Sequence, residues 1–300
     1  NEICIGCGFC AKICPNNALD IYFNSNIGSY NAKLDKKKCI ICGLCDKVCP
    51  FTNSDSSTIP LNSLMKNGSV YLSYSQDDNI RYNSASGGAV TQILLSLLDL
   101  RKIDGVLIPK LIRSHQISFD YILARDKNEI LNSSGSIYAP VSTQNIINFI
   151  KELPDDSKIA IVGLPCTLKA LSLYCNLHKD ISEKIYIKIG LFCGRLPNLY
   201  ATKYLLNKLN IKENDVDKIN YRDSGWPGDI NVYLNDGSIK GIPYNSNLGM
   251  KLIFSSSIFL TKSCYFCNDP FSKYADISVG DAWYLKGKDN NGYSLVLSIN

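Results

Sequence analysis

Cys4, Cys7, Cys10 and Cys14 are spaced C-x2-C-x2-C-x3-C with Pro15 directly behind, and Cys39, Cys42, Cys45 and Cys49 repeat the spacing with Pro50. This duplicated run constrains the fold more than anything else in the chain. Three thiolates on one tight loop can grip three irons of a cubane cluster, while the fourth, set off by a helical turn, reaches the neighbouring cluster. The spacing therefore assigns Cys4, Cys7, Cys10 and Cys49 to one 4Fe-4S cluster and Cys39, Cys42, Cys45 and Cys14 to a second. The proline after each fourth cysteine turns the chain away.

Thirteen cysteines in an exported chain would ordinarily mean a disulfide framework. Two evenly spaced quartets contradict that reading. They also contradict structural zinc, which uses paired C-x2-C knuckles. Gly6, Gly8 and Gly43 stand between the cysteines, where a side chain would crowd a cluster and a positive φ is cheap only for glycine. Between the runs, Ala18 to Tyr22 and Tyr30 to Lys33 form strands of a hairpin turning through Asn24 to Ser29.

With 45% apolar residues, 300 residues can bury a substantial core, enough for a small module and a larger domain. The division predicted is a two-cluster ferredoxin domain over 1–52, a Ser-, Asn- and Thr-rich linker over 53–68 and a larger domain over 69–300. A net charge of +5 is mild, and its longest like-charge run, Lys36 to Lys38, is a solvated turn rather than a footprint for nucleic acid. No apolar stretch is long enough for a membrane span and no signal sequence leads the chain, so a cytoplasmic protein is expected. Asn1 is not an initiator residue, and the chain stops just after Tyr293 to Ile299, which has the look of a core strand. Both ends are thus expected to be cut points, with the larger domain truncated at its C-terminus.

The larger domain alternates strand and helix patterns, which predicts an α/β or α+β fold. Strands are expected at Val70 to Ser75, Gly105 to Pro109, Ile117 to Ala124, Lys158 to Val162, Ile185 to Gly190 and Ile230 to Leu234. Helices are expected at Gly88 to Leu100, where Val90, Ile93, Leu94, Leu97 and Leu98 recur on one face, and at Thr143 to Leu153.

Five further cysteines fall in this domain. Cys166 and Cys193 each follow an apolar strand, and Cys264 and Cys267 form a C-x2-C knuckle. Strand ends converge on one sheet edge, so these four could complete a third, dispersed cubane, with zinc or unligated thiols as the alternatives. Cys175 lies nine residues beyond Cys166. At about 100° per residue it faces the other way on a helix, as a small core residue.

Electrons held on clusters need a partner that handles organic substrates, and a flavin usually supplies it. Ser84, Ser86, Gly87 and Gly88 precede the amphipathic helix, where hydroxyls and backbone N–H groups could grip a phosphate; a simple helix cap is the alternative. Gly135, Ser136 and Tyr138 form a second small-residue patch with a ring beside it. His115 and His178 lack any metal spacing.

Ser86-Gly87-Gly88, Asp104-Gly105-Val106, Gly163-Leu164-Pro165-Cys166, Gly190-Leu191-Phe192-Cys193, Tyr221-Arg222-Asp223, Cys264-x2-Cys267 and Ala275 to Asp281 occur in that order. In this the chain resembles the family of coenzyme F-420 hydrogenase/dehydrogenase beta subunits. The resemblance covers nearly the whole chain. It implies an iron-sulfur flavoprotein with FAD near the Ser84 to Gly88 turn and the Gly135 region, and Cys166, Cys193, Cys264 and Cys267 holding the cluster beside it. It further implies a role for Arg222 and Asp223 near cofactor or substrate, against a surface ion pair as the alternative.

Three functions follow as expectations. The first is a ferredoxin-linked flavoenzyme acting on a small organic molecule, with an association to surface-polysaccharide pathways in bacterial relatives. The second is a deazaflavin-oxidising subunit of a larger redox complex. The third is a flavin-free electron carrier or structural metalloprotein. Ferredoxin or another redox subunit is the expected partner.

Overall fold

The structure, a computed structural model, describes residues 3–52, 68–112, 116–249, 257–285 and 291–298. The expected linker, but for residue 68, lies outside the described residues, as does His115.

The two cysteine runs build matching short helices, α1 (Phe9–Ile13) and α2 (Leu44–Lys47). Each is capped by a glycine in left-handed backbone, Gly8 at φ 78° and Gly43 at φ 74°. Between them β1 (Leu19–Asn24) and β2 (Ser29–Leu34) pair antiparallel, from Leu19 opposite Leu34 to Asn24 opposite Ser29.

Next come β3 (Ser69–Ser73), α3 (Asp78–Tyr82), α4 (Ala89–Asp99), β4 (Gly105–Ile112), β5 (Ser118–Ala124), α5 (Lys127–Asn132) and β6 (Val141–Ser142). They are followed by α6 (Ile146–Glu152), β7 (Ile159–Gly163), α7 (Pro165–Cys175), α8 (Lys179–Glu183), β8 (Ile185–Leu191) and α9 (Leu199–Lys208). The chain closes with β9 (Val216–Asp223), β10 (Asp229–Leu234), β11 (Ile239–Pro243), β12 (Ile277–Asp281) and β13 (Ser294–Ser298).

An eight-stranded mixed sheet runs in the order β3-β13-β12-β8-β7-β4-β5-β6. Its centre, β4, β7, β8 and β12, is parallel. β7 is buried along its whole length, the unbroken apolar run that a central parallel strand requires. Its side chains alternate between two cores: Ile159 and Ile161 pack with α6 and α7 residues, Ala160 and Val162 with α4 residues. Pro109 falls within β4 opposite Tyr121 of β5, while pairing of β4 with β7 covers only Gly105 to Leu107. Its missing N–H thus costs no described pairing.

β9, β10 and β11 form a separate antiparallel sheet, whose core joins α9 and Phe119 of β5. The N-terminal module is seated on the larger sheet's helices. Phe9 and Val48 share one core with Ile146, Leu168 and Tyr174, and the Phe9 and Tyr174 rings lie 5.8 Å apart. The hairpin turn reaches α9, where Leu199 N–H donates to Gly28 carbonyl at 2.8 Å and Tyr200 hydroxyl donates to Ser25 carbonyl.

Two expectations change. Helix formation in the Thr143 to Leu153 segment starts only at Ile146, because Thr143 hydroxyl donates to Cys7 carbonyl. The C-terminal strand is not a core strand: β13 lies next to the exposed edge strand β3, and beyond buried Ser294 its residues are only half-buried.

Candidate redox centre

Gly163 at the end of β7 pairs with Gly190 on β8, and Cys166 and Cys193 each lie three residues beyond that pair. Parallel neighbours end at the same sheet edge, about 4.8 Å apart, so the register itself draws these two cysteines together. Cys166 opens α7 behind Pro165, a residue suited to the first helical turn. Cys264 and Cys267 arrive on a short 3₁₀ turn that runs beside the segment after β8, with Pro197 bridged to Leu260. Cys264 sulfur accepts from Leu196 N–H at 3.3 Å and lies 3.1 Å from Thr261 hydroxyl.

The four thiols feel one another. Burial pushes Cys166 up to about 12, with Cys267 and Cys264 adding to it. Cys193 is raised by burial and then by Cys166, Cys264 and Cys267. Burial disfavours separate thiolates at Cys166, Cys193 and Cys267, a cost that a bound metal centre would offset with its own positive charge. Cys175, at the far end of α7, is pushed up to about 11 by burial, with Lys188 pulling the other way. It packs against the core that receives Phe9.

In the N-terminal module, Cys7 is raised by burial and then by Cys10, Cys4 and Cys49. Cys10 is pushed up to about 12 by burial, Cys4 and Cys49. Cys49 of the second run thus lies near Cys7 and Cys10 of the first, and Cys45 also acts on Cys10. Cys45 is raised by burial, with neighbouring Cys42 contributing. Gly6 N–H donates to Cys4 sulfur at 3.3 Å and Ala18 N–H to Cys14 sulfur at 3.2 Å, bonds of the kind that tune a cluster's potential. Gly6 has no alternative at φ 67°, since a Cβ there would sit 2.3 Å from Tyr30 Cβ. Among the described residues no group of three or more His, Cys, Asp or Glu converges as a single-ion site would.

One strand over from Cys193, β12 ends at Asp281, and Val279 pairs with Leu191. Asp281 receives both Nη atoms of Arg222, at 3.1 and 3.2 Å, and Trp226 Nε1 at 2.9 Å. Arg222 is 0% exposed. Its Nε donates to Pro227 carbonyl at 2.8 Å and its Nη2 to Ala85 carbonyl at 2.6 Å; the guanidinium lies over Tyr244 at 4.4 Å and Trp283 at 5.0 Å. Burial works against the charge, but Tyr138 and Asp281 outweigh it and hold the group firmly protonated. Arg222 is therefore neither a surface ion pair nor a free cation; it ties four segments together at the sheet's carboxyl edge. Asp223 points the opposite way, accepting from Tyr233 hydroxyl and from Asn231 Nδ2 at 3.2 Å.

The small-residue turn is also tied in. Ser84 hydroxyl donates to Ile80 carbonyl at 2.6 Å, Ser86 and Ser294 hydroxyls meet at 2.8 Å, and Gly87 N–H donates to Ser294 hydroxyl at 3.0 Å. Gly88 caps α4 at φ 79°. The Ser84 and Ser86 hydroxyls and the Gly87 N–H are engaged with the chain itself. Gly135 (φ 97°) fits against Asn220, where a Cβ would lie 2.5 Å from Oδ1. Ser136 follows it, and Tyr138 hydroxyl stands 3.4 Å from both Arg222 Nη1 and Tyr244 hydroxyl. Sequence reasoning did not single out Tyr244, Trp226, Trp283 or the partner role of Asp281, whose only signal was its place in the Ala275 to Asp281 motif.

Residues 70–148 and 156–300 match the family described as coenzyme F420 hydrogenase/dehydrogenase beta subunit, through its N-terminal and C-terminal parts. Residues 3–53 match the 4Fe-4S dicluster domain. The F420-dependent formate dehydrogenase subunit beta of Methanocaldococcus jannaschii is 26% identical over 70% of this chain and 52% of its own length. A subunit of the F(420)H(2) dehydrogenase of Methanosarcina mazei is 23% identical over 94% of this chain and 78% of its own. The chain thus spans about half the length of the first of these relatives. A chain of the F420-reducing [NiFe] hydrogenase complex from Methanosarcina barkeri shares the fold, with a TM-score of 0.54 and 22% identity over 77% of this chain and 74% of that one.

Proposed function

The chain belongs to the family of coenzyme F420 hydrogenase/dehydrogenase beta subunits, and we propose that it is the iron-sulfur subunit of a redox complex that oxidises the reduced deazaflavin coenzyme. The observation that carries this is the placement, on one carboxyl edge, of the Cys166, Cys193, Cys264 and Cys267 group beside the aromatic cluster around Arg222. Planar redox rings bind against aromatic walls, and ligands of parallel sheets favour the carboxyl edge. Three clusters are assigned: Cys4, Cys7, Cys10 and Cys49; Cys39, Cys42, Cys45 and Cys14; and the dispersed group. A hydride donor yields two electrons at once and a cluster carries one, so a bound two-electron acceptor that releases electrons singly, the chemistry a flavin would supply, has to stand between the coenzyme and the clusters. The relatives' names carry the deazaflavin coenzyme and neither FAD nor a polysaccharide. The Ser84 and Ser86 hydroxyls and the Gly87 N–H are engaged with the chain itself, so this turn is not assigned as a phosphate site.

The test is viologen reduction under anaerobic conditions by iron-loaded protein given the reduced deazaflavin coenzyme. Coenzyme-dependent dye reduction, absent with NADH, is expected. If dithionite-reduced protein passes electrons to the dye while the coenzyme does not, the clusters stand and the coenzyme assignment falls.

A further inference from the structure

The loop between Cys39 and Cys42 carries two isoleucines that stand exposed among the described residues. Ile40 is 60% exposed and Ile41 90% exposed. Ile41 also holds φ 56°, a conformation that a β-branched side chain resists, so it meets a backbone penalty without any return from burial. Such a residue is best explained by a surface that covers it elsewhere. Exposed Leu34 lies just upstream on β2, and between it and the loop stand exposed Lys36, Lys37 and Lys38. Of these, Lys38 faces Asp35 at 4.0 Å. Cys42 is itself exposed, and nothing lies within 4 Å of a Cβ added at Gly43. An apolar tip, a cationic collar and the thiols of the second cysteine group thus occupy consecutive positions on one exposed loop.

We propose that this loop is the docking site of a separate, soluble, acidic one-electron carrier protein, which exchanges electrons with the chain at the Cys39, Cys42, Cys45 and Cys14 group. The inference rests on the reading that this group holds a cluster. Three apolar side chains are too few for a permanent subunit interface, which buries upwards of about 2,000 Å² and is more apolar; they suit the small, transient contacts of electron transfer. The lysines select an acidic face and speed encounter. Each encounter moves one electron: the cluster loses it and the carrier gains it, with no bond made or broken. Two encounters clear the pair delivered by one hydride donor.

The test mixes dithionite-reduced chain with an oxidised acidic 4Fe-4S ferredoxin in anaerobic stopped flow, with methyl viologen as the cationic control. Lys36→Glu/Lys37→Glu/Lys38→Glu should slow the ferredoxin reaction at low salt by about tenfold or more, and salt should slow the wild type in the same direction. Ile41→Asn suits left-handed backbone better, so it should fold at least as well and keep its iron, yet slow the ferredoxin reaction about threefold. The viologen reaction should not fall in either variant. Wild-type ferredoxin rates in both variants, or a salt-independent wild type, would overturn the docking site. Fewer than about eight irons per chain would instead overturn the two-cluster reading on which it stands.

Discussion

Replacing Arg222 with methionine keeps much of the side-chain volume but removes every donor, leaving the Ala85 and Pro227 carbonyls and the Asp281 carboxylate without their partner. Breaking a fully buried ion pair costs about 3–5 kcal/mol, and each hydrogen bond to a charged group contributes about 1.5–3 kcal/mol. Here Asp281 retains some solvent access and its two contacts, at 3.1 and 3.2 Å, are longer than ideal, which places the pair toward the lower end. We expect about 4 kcal/mol for Arg222→Met, because two carbonyls are orphaned as well. Asp281→Asn keeps one acceptor for Trp226 and should cost about 2 kcal/mol. The double variant should fall short of the sum by about 1.5 kcal/mol, the signature of direct coupling. Thermal midpoints of iron-matched anaerobic samples provide the assay, with about 2 °C lost per kcal/mol in a chain of this size. Strict additivity, or a loss under about 2 °C for Arg222→Met, would refute the role of Arg222 as the tie between these segments.

Iron analysis should give about twelve irons per chain, and Cys193→Ser should lower it to about eight while leaving the module's spectrum intact. Cys175→Ala should leave iron unchanged and cost about 1 kcal/mol, measured by the same melts; loss of a cluster would make Cys175 a ligand. Asp120 is raised by burial, against the Tyr121 N–H, Ser142 and Asn145 bonds that lower it. A carboxyl raised in the folded state binds protons there before the unfolded chain does. Its contribution therefore favours folding increasingly as pH falls through the raised value toward the unfolded one. Relative to Asp120→Asn, the wild type should gain stability between neutral pH and the unfolded carboxyl range, and a constant difference across that window would show that Asp120 is unperturbed.

The module was legible because its pattern is local: spacing within eleven residues marks the loop, and the match to a 4Fe-4S dicluster domain covers it. Strands β4 and β7 announced themselves by apolar runs, since buried central strands must be apolar on both faces. β9 did not: its sequence mixes Lys218, Asn220 and Arg222 with Ile219 and Tyr221, because one face meets a core and the other a buried polar site. β12 hid for a similar reason, its Ser278 and Gly280 offering no run. The Arg222 site could not be read at all from spacing, since Tyr138, Tyr244, Asp281 and Trp283 meet only through the tertiary fold. The small-residue turn before α4 suggested an open phosphate grip; its long-range contact with Ser294 across the sheet had no signal in the local sequence.

The shared core of Phe9, Val48, Ile146 and Tyr174, with Thr143 fastened to the Cys7 carbonyl, has a kinetic consequence. A cluster module on a loose tether works as an arm, and its turnover waits on diffusive search. A module whose side chains complete its neighbour's interior works as fixed wiring. With clusters held at both cysteine groups, an electron crossing from α1 toward α7 would pass a gap filled by packed aromatic and aliphatic side chains. Its rate would then be governed by tunnelling distance and driving force, and a more viscous solvent would leave it untouched.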